Sequence, residues 1–438
     1  MWAAPSAAAV TPPPPDDSWL PAAGPPTPSR PTAQHDDCVA APPGSPAPAD
    51  PGQLVGMDFP AVWALSRGAG QTVAVIDTGV ARHRLLPHLV PGGDYVSTHD
   101  GTADCDGHGT ILAGIIGAAR DSPDANATAD RQVFTGIAPD VSILAIRQSS
   151  NKFRAVDEPA ASGFGDVETL ARAVRTAADL GATVINISSV ACVPADAELD
   201  DRALGAALAY AVDVKNVVVV TAAGNVDGHG QCPGHNRPDR ASWDDVTVLV
   251  SPAWYDDYVL TVGSVGPGGT ASRFSLAGPW VDVAAPGEGI VSLAPAEDGL
   301  VSSRPGGAAI SGTSYAAAVV SAIAALVRAR SPELTARQVM ERLEDTAHHP
   351  PGGWDAAVGR GTVDALAAVS DPGSTKLRRP SVPPIESEAE TAQAVAEQRT
   401  ERTAVQGAAI CLALAASILV ASAWVRRVRQ RDEAVPGD

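Results

Sequence analysis

Four short stretches, far apart in the chain, carry side chains that together could break an amide bond. Asp77 lies in Val73-Ala74-Val75-Ile76-Asp77-Thr78-Gly79, and His108 in Asp106-Gly107-His108-Gly109-Thr110. Ser314 closes Ser311-Gly312-Thr313-Ser314, and Asn225 closes Ala222-Ala223-Gly224-Asn225. A serine hydroxyl is a weak nucleophile at neutral pH and needs an adjacent base. His108 would take its proton, while Asp77 would hold the imidazole tautomer and stabilise the imidazolium. The Asn225 amide and the Ser314 backbone N–H, at a helix N-terminus, would donate to the oxyanion that forms. Each residue alone has a duller explanation: a turn aspartate, a histidine at a helix start, an N-cap serine or threonine, a left-handed asparagine. Those explanations fail jointly, because four coincidences must also fall in the right order on the right elements.

The elements that must position them are legible as an α/β pattern. Val73–Ile76, Val141–Ile146, Val184–Ile187, Val217–Thr221, Val259–Val262 and Val281–Ala284 are short, continuous apolar runs. Such runs suit strands buried on both faces. Helical patterns lie between several of them: His108 to Ala119, Val167 to Leu180 closed by Gly181, and Arg202 to Lys215. The alternation predicts a doubly wound domain with a mainly parallel sheet, flanked by helices. Ligands of such sheets bind outside the carboxyl ends of the strands. Asp77 ends one strand, Asn225 lies just beyond another, and His108 and Ser314 open helices. The four residues are therefore expected at one rim.

The chain has 438 residues and a formal net charge of −19. It offers no basic stripe to neutralise phosphates, which argues against nucleic acid as a partner. Composition divides it into a Pro/Ala-rich N-terminal arm over 1–54, a domain over 55–370, a polar linker over 371–405, an apolar helix over 406–425 and a short tail over 426–438. Residues 1–50 hold 14 of the 38 prolines. Such a segment cannot bury enough apolar surface to offset its ordering entropy and is expected to be extended. The uncharged run from Gly407 to Val425 would span roughly 28 Å as a helix, close to the hydrocarbon thickness of a bilayer. Arg426, Arg427, Arg429 and Arg431 follow at once, which places the tail in the cytoplasm and the domain outside it. That topology requires an export signal, and Met1-Trp2-Ala3-Ala4-Pro5 lacks a charged n-region. We therefore expect the start of the chain to have been set too late.

Cysteine usage agrees with export. Cys411 lies in the apolar helix; Cys38, Cys105, Cys192 and Cys232 allow three pairings. Cys38–Cys105 with Cys192–Cys232 is preferred. Cys192 and Cys232 each follow a strand, so their loops would leave the same sheet edge; Cys38 would then fasten the arm beside the His108 loop. Each bridge is expected to contribute about 2–4 kcal/mol. His229 to His235 fits no standard zinc spacing, no EF-hand-type loop is present, and no cofactor is expected. His348-His349 is expected in a solvated loop, and residues 118–132 in an exposed one.

At these motifs the chain resembles the subtilisin-like serine proteases, over about Val55 to Val369. Within that family it is most similar to the mycosins, membrane-anchored proteases of actinobacterial type VII secretion systems. The stretches that carry this are Asp104-Cys105-Asp106-Gly107-His108-Gly109-Thr110, Pro252-Ala253-Trp254-Tyr255-Asp256-Asp257-Tyr258-Val259-Leu260-Thr261-Val262-Gly263 and Gly278-Pro279-Trp280-Val281-Asp282-Val283-Ala284-Ala285-Pro286-Gly287. The resemblance implies Asp77, His108 and Ser314 as the triad and Asn225 as the oxyanion donor. It implies a polypeptide substrate and a type VII secretion membrane complex as partner. Many family members carry proline four residues after the nucleophile; here that position is Ala318, which removes no catalytic group. Residues 1–50 show no α/β pattern of an inhibitory propeptide, so the arm is expected to wrap the domain. Asn186–Val190 and the region near Ser275 are expected to offer backbone edges to an extended peptide. The rival reading is a structural component of the secretion complex, with catalysis dispensable; a secreted scavenging protease is disfavoured by the apolar helix.

Overall fold

The computed structural model describes residues 10–39, 52–54, 57–120, 134–227, 232–240, 242–296, 298–304 and 307–370. The chain divides into two units, 1–380 and 381–438, and everything described belongs to the first. The expected linker 371–405, helix 406–425 with Cys411, and tail 426–438 lie outside the described residues, as does 121–133. Among the described residues no helix is long and apolar enough to cross a membrane.

In chain order the strands are β1 (Thr32–Gln34), β2 (Thr72–Asp77), β3 (Leu89–Asp94), β4 (Ser142–Arg147), β5 (Phe153–Ala155), β6 (Val184–Ile187) and β7 (Ala191–Pro194). They continue with β8 (Val218–Ala222), β9 (Val248–Ser251), β10 (Leu260–Val265), β11 (Val283–Pro286), β12 (Ser292–Leu293) and β13 (Leu300–Val301). The helices are α1 (Phe59–Leu65), α2 (His108–Gly117), α3 (Val167–Asp179), α4 (Arg202–Ala209), α5 (Thr313–Arg330), α6 (Ala336–Asp345) and α7 (Ala365–Val369).

Seven strands form one sheet in the order β11-β10-β8-β6-β2-β4-β3, and every neighbouring pair is parallel. The apolar runs explain this: β6, β8 and β10 are buried along their whole length, as parallel strands covered by helices must be. One strand departs from the sequence pattern. Leu89–Asp94 contains Pro91, Gly92 and Gly93, and the register shifts between Pro91 and Gly93. It sits at the sheet edge, where proline removes no ladder bond that a neighbour needs.

The chain leaves β2 toward β4 and β3 on one side, then returns to build β6, β8, β10 and β11 on the other. This reversal makes the carboxyl end of β2 the switch point, where such folds hold their ligands. Asp77 is the last residue of β2. The Ala- and Val-rich α5 is buried from Thr313 through Val327 and packs on β6, β8, β10, β11 and α2. A helix that is apolar all round belongs in the centre. Helix α3 is amphipathic and starts at a capping box between Asp166 and Thr169.

The arm residues 10–39 run along the surface of the same unit. The Val10 N–H donates to Trp243 O at 3.2 Å, and the Arg202 guanidinium lies 3.8 Å over the Trp19 ring. Strand β1 pairs antiparallel with β5. The arm is then bonded through Cys38–Cys105, with a Cα separation of 4.4 Å. The second bridge, Cys192–Cys232, has a Cα separation of 4.9 Å. His348 departs from a plain solvated loop: its N–H donates to Thr362 O at 2.8 Å and its Nε2 lies 3.6 Å from Asp364, so it is half-buried.

Candidate active site

Helix α2 begins at His108, and its entry is set by glycine. Gly107 caps the helix at φ 81°, and a Cβ there would lie 2.8 Å from Pro295 Cγ. A Cβ on Gly109 would lie 2.0 Å from Gly79 O and 3.3 Å from Asp77 Cβ. Only glycine at 109 lets α2 approach the end of β2 this closely. His108 and Asp77 meet as a result: Nδ1 lies 2.7 Å from Asp77 Oδ1. The Asp77 side chain is fully buried and also accepts from the Thr78 N–H at 2.8 Å. An ionised carboxylate only accepts, so Nδ1 of His108 carries the proton and Nε2 is the free lone pair. That lone pair faces Ser314 Oγ at 3.1 Å.

Ser314 is the second residue of α5, behind Gly312. Asn225 lies just beyond β8, and its Oδ1 accepts from the Thr313 N–H at 2.9 Å and the Thr313 hydroxyl at 3.1 Å. A backbone N–H is a donor only, so the acceptor oxygen must face Thr313 and the amide NH2 points elsewhere. The Tyr315 ring packs against the His108 ring with centroids 5.4 Å apart. All four residues singled out in the sequence are thus brought to one rim, at the switch point.

Several supporting residues were not foreseen. Asp104 accepts four hydrogen bonds. Its Oδ1 accepts from Thr78 Oγ1 at 2.8 Å and the Gly107 N–H at 2.7 Å. Its Oδ2 accepts from the Thr110 N–H at 2.9 Å and Thr110 Oγ1 at 2.6 Å. Asp104 therefore ties the loop after β2, which bears Asp77, to the start of α2, which bears His108. Burial pushes the Asp104 carboxyl up to about 6, against the pull of those four donors. A second buried relay runs behind the serine. Ser321 Oγ donates to Asn186 Oδ1, Asn186 Nδ2 donates to Ser188 Oγ, and Ser188 Oγ donates to the Ser314 carbonyl, at 2.9, 2.9 and 3.0 Å.

This relay narrows one expectation. Asn186 is wholly buried and paired on one side with Val75 and on the other with Val220, so within Asn186–Val190 a free backbone edge is left only to the residues after β6. Ser275 is bridged to Asn225, and its hydroxyl accepts from the Ser264 N–H. Among the described residues no cluster of histidine, cysteine and carboxylates could hold a metal ion. Cys232 is in its disulfide, and His235 pairs with Asp227 at 2.9 Å.

Electrostatics at His108 are a contest. Burial pulls the imidazole pKa down, the charge and hydrogen bond of Asp77 push it up, Asp104 adds to them, and Arg304 opposes. The net lies above the ordinary histidine value.

The model of the subtilase family matches residues 68–361. The chain belongs to that family. This subtilase is 56% identical to mycosin-4 of Mycobacterium tuberculosis over 436 residues, which span 96% of this chain and 92% of the relative. It is 42% identical to mycosin-3 of the same organism, across 80% of this chain and 78% of the relative. The crystal structure of MycP1 from Mycobacterium smegmatis superposes with a TM-score of 0.74 at 40% identity, covering 86% of this chain and 98% of that one. A chain in the structure of an intact ESX-5 inner membrane complex matches with a TM-score of 0.74 at 40% identity, covering 92% of this chain and all of that one. This subtilase is accordingly a mycosin and a subtilisin-like serine endopeptidase.

Proposed function

We propose that Asp77, His108 and Ser314 form the catalytic triad of a membrane-tethered, extracytoplasmic protease, with Asn225 as oxyanion donor. The observation that carries this is His108 itself, joined at Nδ1 to Asp77 at 2.7 Å and at Nε2 to Ser314 at 3.1 Å. Ser314 Oγ attacks the scissile carbonyl carbon as its proton passes to His108 Nε2. The carbonyl oxygen becomes an oxyanion, held by the Asn225 NH2 and the Ser314 backbone N–H. Collapse breaks the C–N bond, and His108 gives its proton to the leaving amine. Water then repeats the sequence on the acyl-enzyme, regenerating Ser314 and releasing the acid.

Two expected results follow from these roles. Asn225→Ala should lower kcat by about 10²–10³-fold with little change in KM, the size of effect found for the oxyanion asparagine of subtilisin. Steady-state hydrolysis of a fluorogenic peptide measures this, and a loss under threefold would remove Asn225 from the oxyanion site. Second, catalysis needs neutral His108. Because its pKa is raised, the acid limb of the kcat/KM profile should lie above about 6.5, the ordinary histidine value. Activity is full above that limb and falls as pH drops through it. A limb below the ordinary value would mean that burial outweighs Asp77.

Residues 55–370 are the catalytic domain in this reading, tethered through the linker 371–405 by a single span at 406–425. The tail 426–438 lies in the cytoplasm. The arginines after the span and the two disulfides support that orientation. The protease would process polypeptide substrates of a type VII secretion system and sit in its membrane complex; the similarity to a chain of the ESX-5 complex supports the association. That same similarity favours a second reading, in which the domain stabilises the complex and its catalysis is dispensable. Complementing a deletion strain with Ser314→Ala separates them. Secretion that fails despite normal protein levels supports proteolysis as the essential role, and full rescue supports the scaffold.

A further inference from the structure

Arg304 stands beside the reacting groups with its charge uncommitted. It lies on the hairpin before α5, where Ser303 bridges to Ala309 and the Arg304 N–H donates to Ala308 O at 2.8 Å. Its Nη2 donates to the carbonyl of Ser311, three residues before Ser314, at 3.0 Å. Among the described residues no carboxylate pairs with it, although the chain as a whole carries a net charge of −19. The side chain is exposed. Its positive charge is nonetheless felt at both the Tyr315 phenol and the His108 imidazole, two rings that pack on each other 5.4 Å apart.

Direction follows from the chemistry. His108 hands its proton to the leaving amine, so the leaving half of the substrate runs past the His108 side of Ser314. Asn225, held by Thr313, marks where the carbonyl oxygen sits. Arg304 hydrogen-bonds the Tyr315 phenol, whose ring packs on His108, and so borders the path of the leaving segment. A guanidinium held by the Ser311 carbonyl and the Tyr315 phenol still presents further donors in a planar fork, which matches a carboxylate. Charges at the rim of a binding site choose partners and set the salt dependence of association.

We propose that Arg304 is a specificity-determining residue that selects polypeptides with aspartate or glutamate in the first positions after the cleaved bond. This rests on the protease reading above. An exposed pair of this kind supports a preference of up to about fivefold, reduced by salt.

The test uses the full chain in detergent, a proteome-derived peptide library, and mass spectrometry of the new termini. Wild type should enrich Asp and Glu just after the cleaved bond, less so in high salt. Arg304→Gln should lose the enrichment, Arg304→Glu should turn it toward Lys and Arg, and Arg304→Lys should retain part of it. Fluorophosphonate labelling of Ser314 is run on every variant as the check on an intact site. Absence of acidic enrichment in wild type overturns the proposal, as does enrichment that survives Arg304→Gln. A labelled enzyme that cuts no bond followed by an acidic residue contradicts it equally. Loss of labelling in wild type would instead overturn the protease reading itself.

Discussion

Ser314→Ala is expected to lower kcat by about 10⁶-fold, the scale of the equivalent loss in subtilisin, while leaving the fold intact. The Ser314 hydroxyl bonds His108 at 3.1 Å, whereas the structural bond at this residue is made by its backbone carbonyl with Ser188. Truncation therefore removes the nucleophile and keeps the relay behind it. Helix α5 also gains a better helix former near its start. The residual rate, about 10³–10⁴ over water, would come from the Asn225 site and from binding. Hydrolysis of a fluorogenic peptide, with a thermal melt of the same sample, measures both effects. A loss below 10²-fold in a folded variant would mean that another group attacks the substrate.

Asp77→Asn is expected to cost about 10⁴-fold in kcat, the scale measured for the same change in trypsin. Asparagine nearly preserves shape, so the effect isolates charge. The buried Asp77 carboxylate is what raises the His108 pKa against burial, with Asp104 adding to it. Without it the imidazolium formed during attack lies in a desolvated site with a weaker counter-charge. Two signatures should therefore appear together. The rate falls, and the acid limb of kcat/KM moves to lower pH, because burial now dominates at His108. A rate loss with an unmoved limb would indicate a disturbed geometry instead. Since Asp104 also faces His108, the limb should retreat by less than complete removal of both carboxylates would give.

The sheet was legible in the sequence wherever its strands are buried on both faces. Val73–Ile76 and Val184–Ile187 are unbroken apolar runs because helices cover them, and burial leaves no room for alternation. Leu89–Asp94 was missed for the converse reason: an edge strand tolerates Pro91 and two glycines, which read as a loop. The four site residues could be found because each sits in a short local motif whose backbone geometry the chemistry requires. Their supports have no such signature. Asp104 stands in the His108 motif, but its role depends on Thr78, which is 26 residues away and is reached only through the sheet. Asn186–Val190 is expected to offer a backbone edge to a peptide; its first residue, Asn186, is buried instead, since β2 and β8 flank it and Ser321 of α5 claims its side chain. Arg304 belongs to no motif, and only its bonds to the Ser311 carbonyl and the Tyr315 phenol reveal it.

The central claim is that His108 activates Ser314, and covalent labelling tests it most directly. The intact protein, treated with a fluorophosphonate and digested, should carry a single adduct, on Ser314. The adduct should vanish in Ser314→Ala and form far more slowly in His108→Ala. A folded protein that takes no label, or takes it on another serine, would contradict the account.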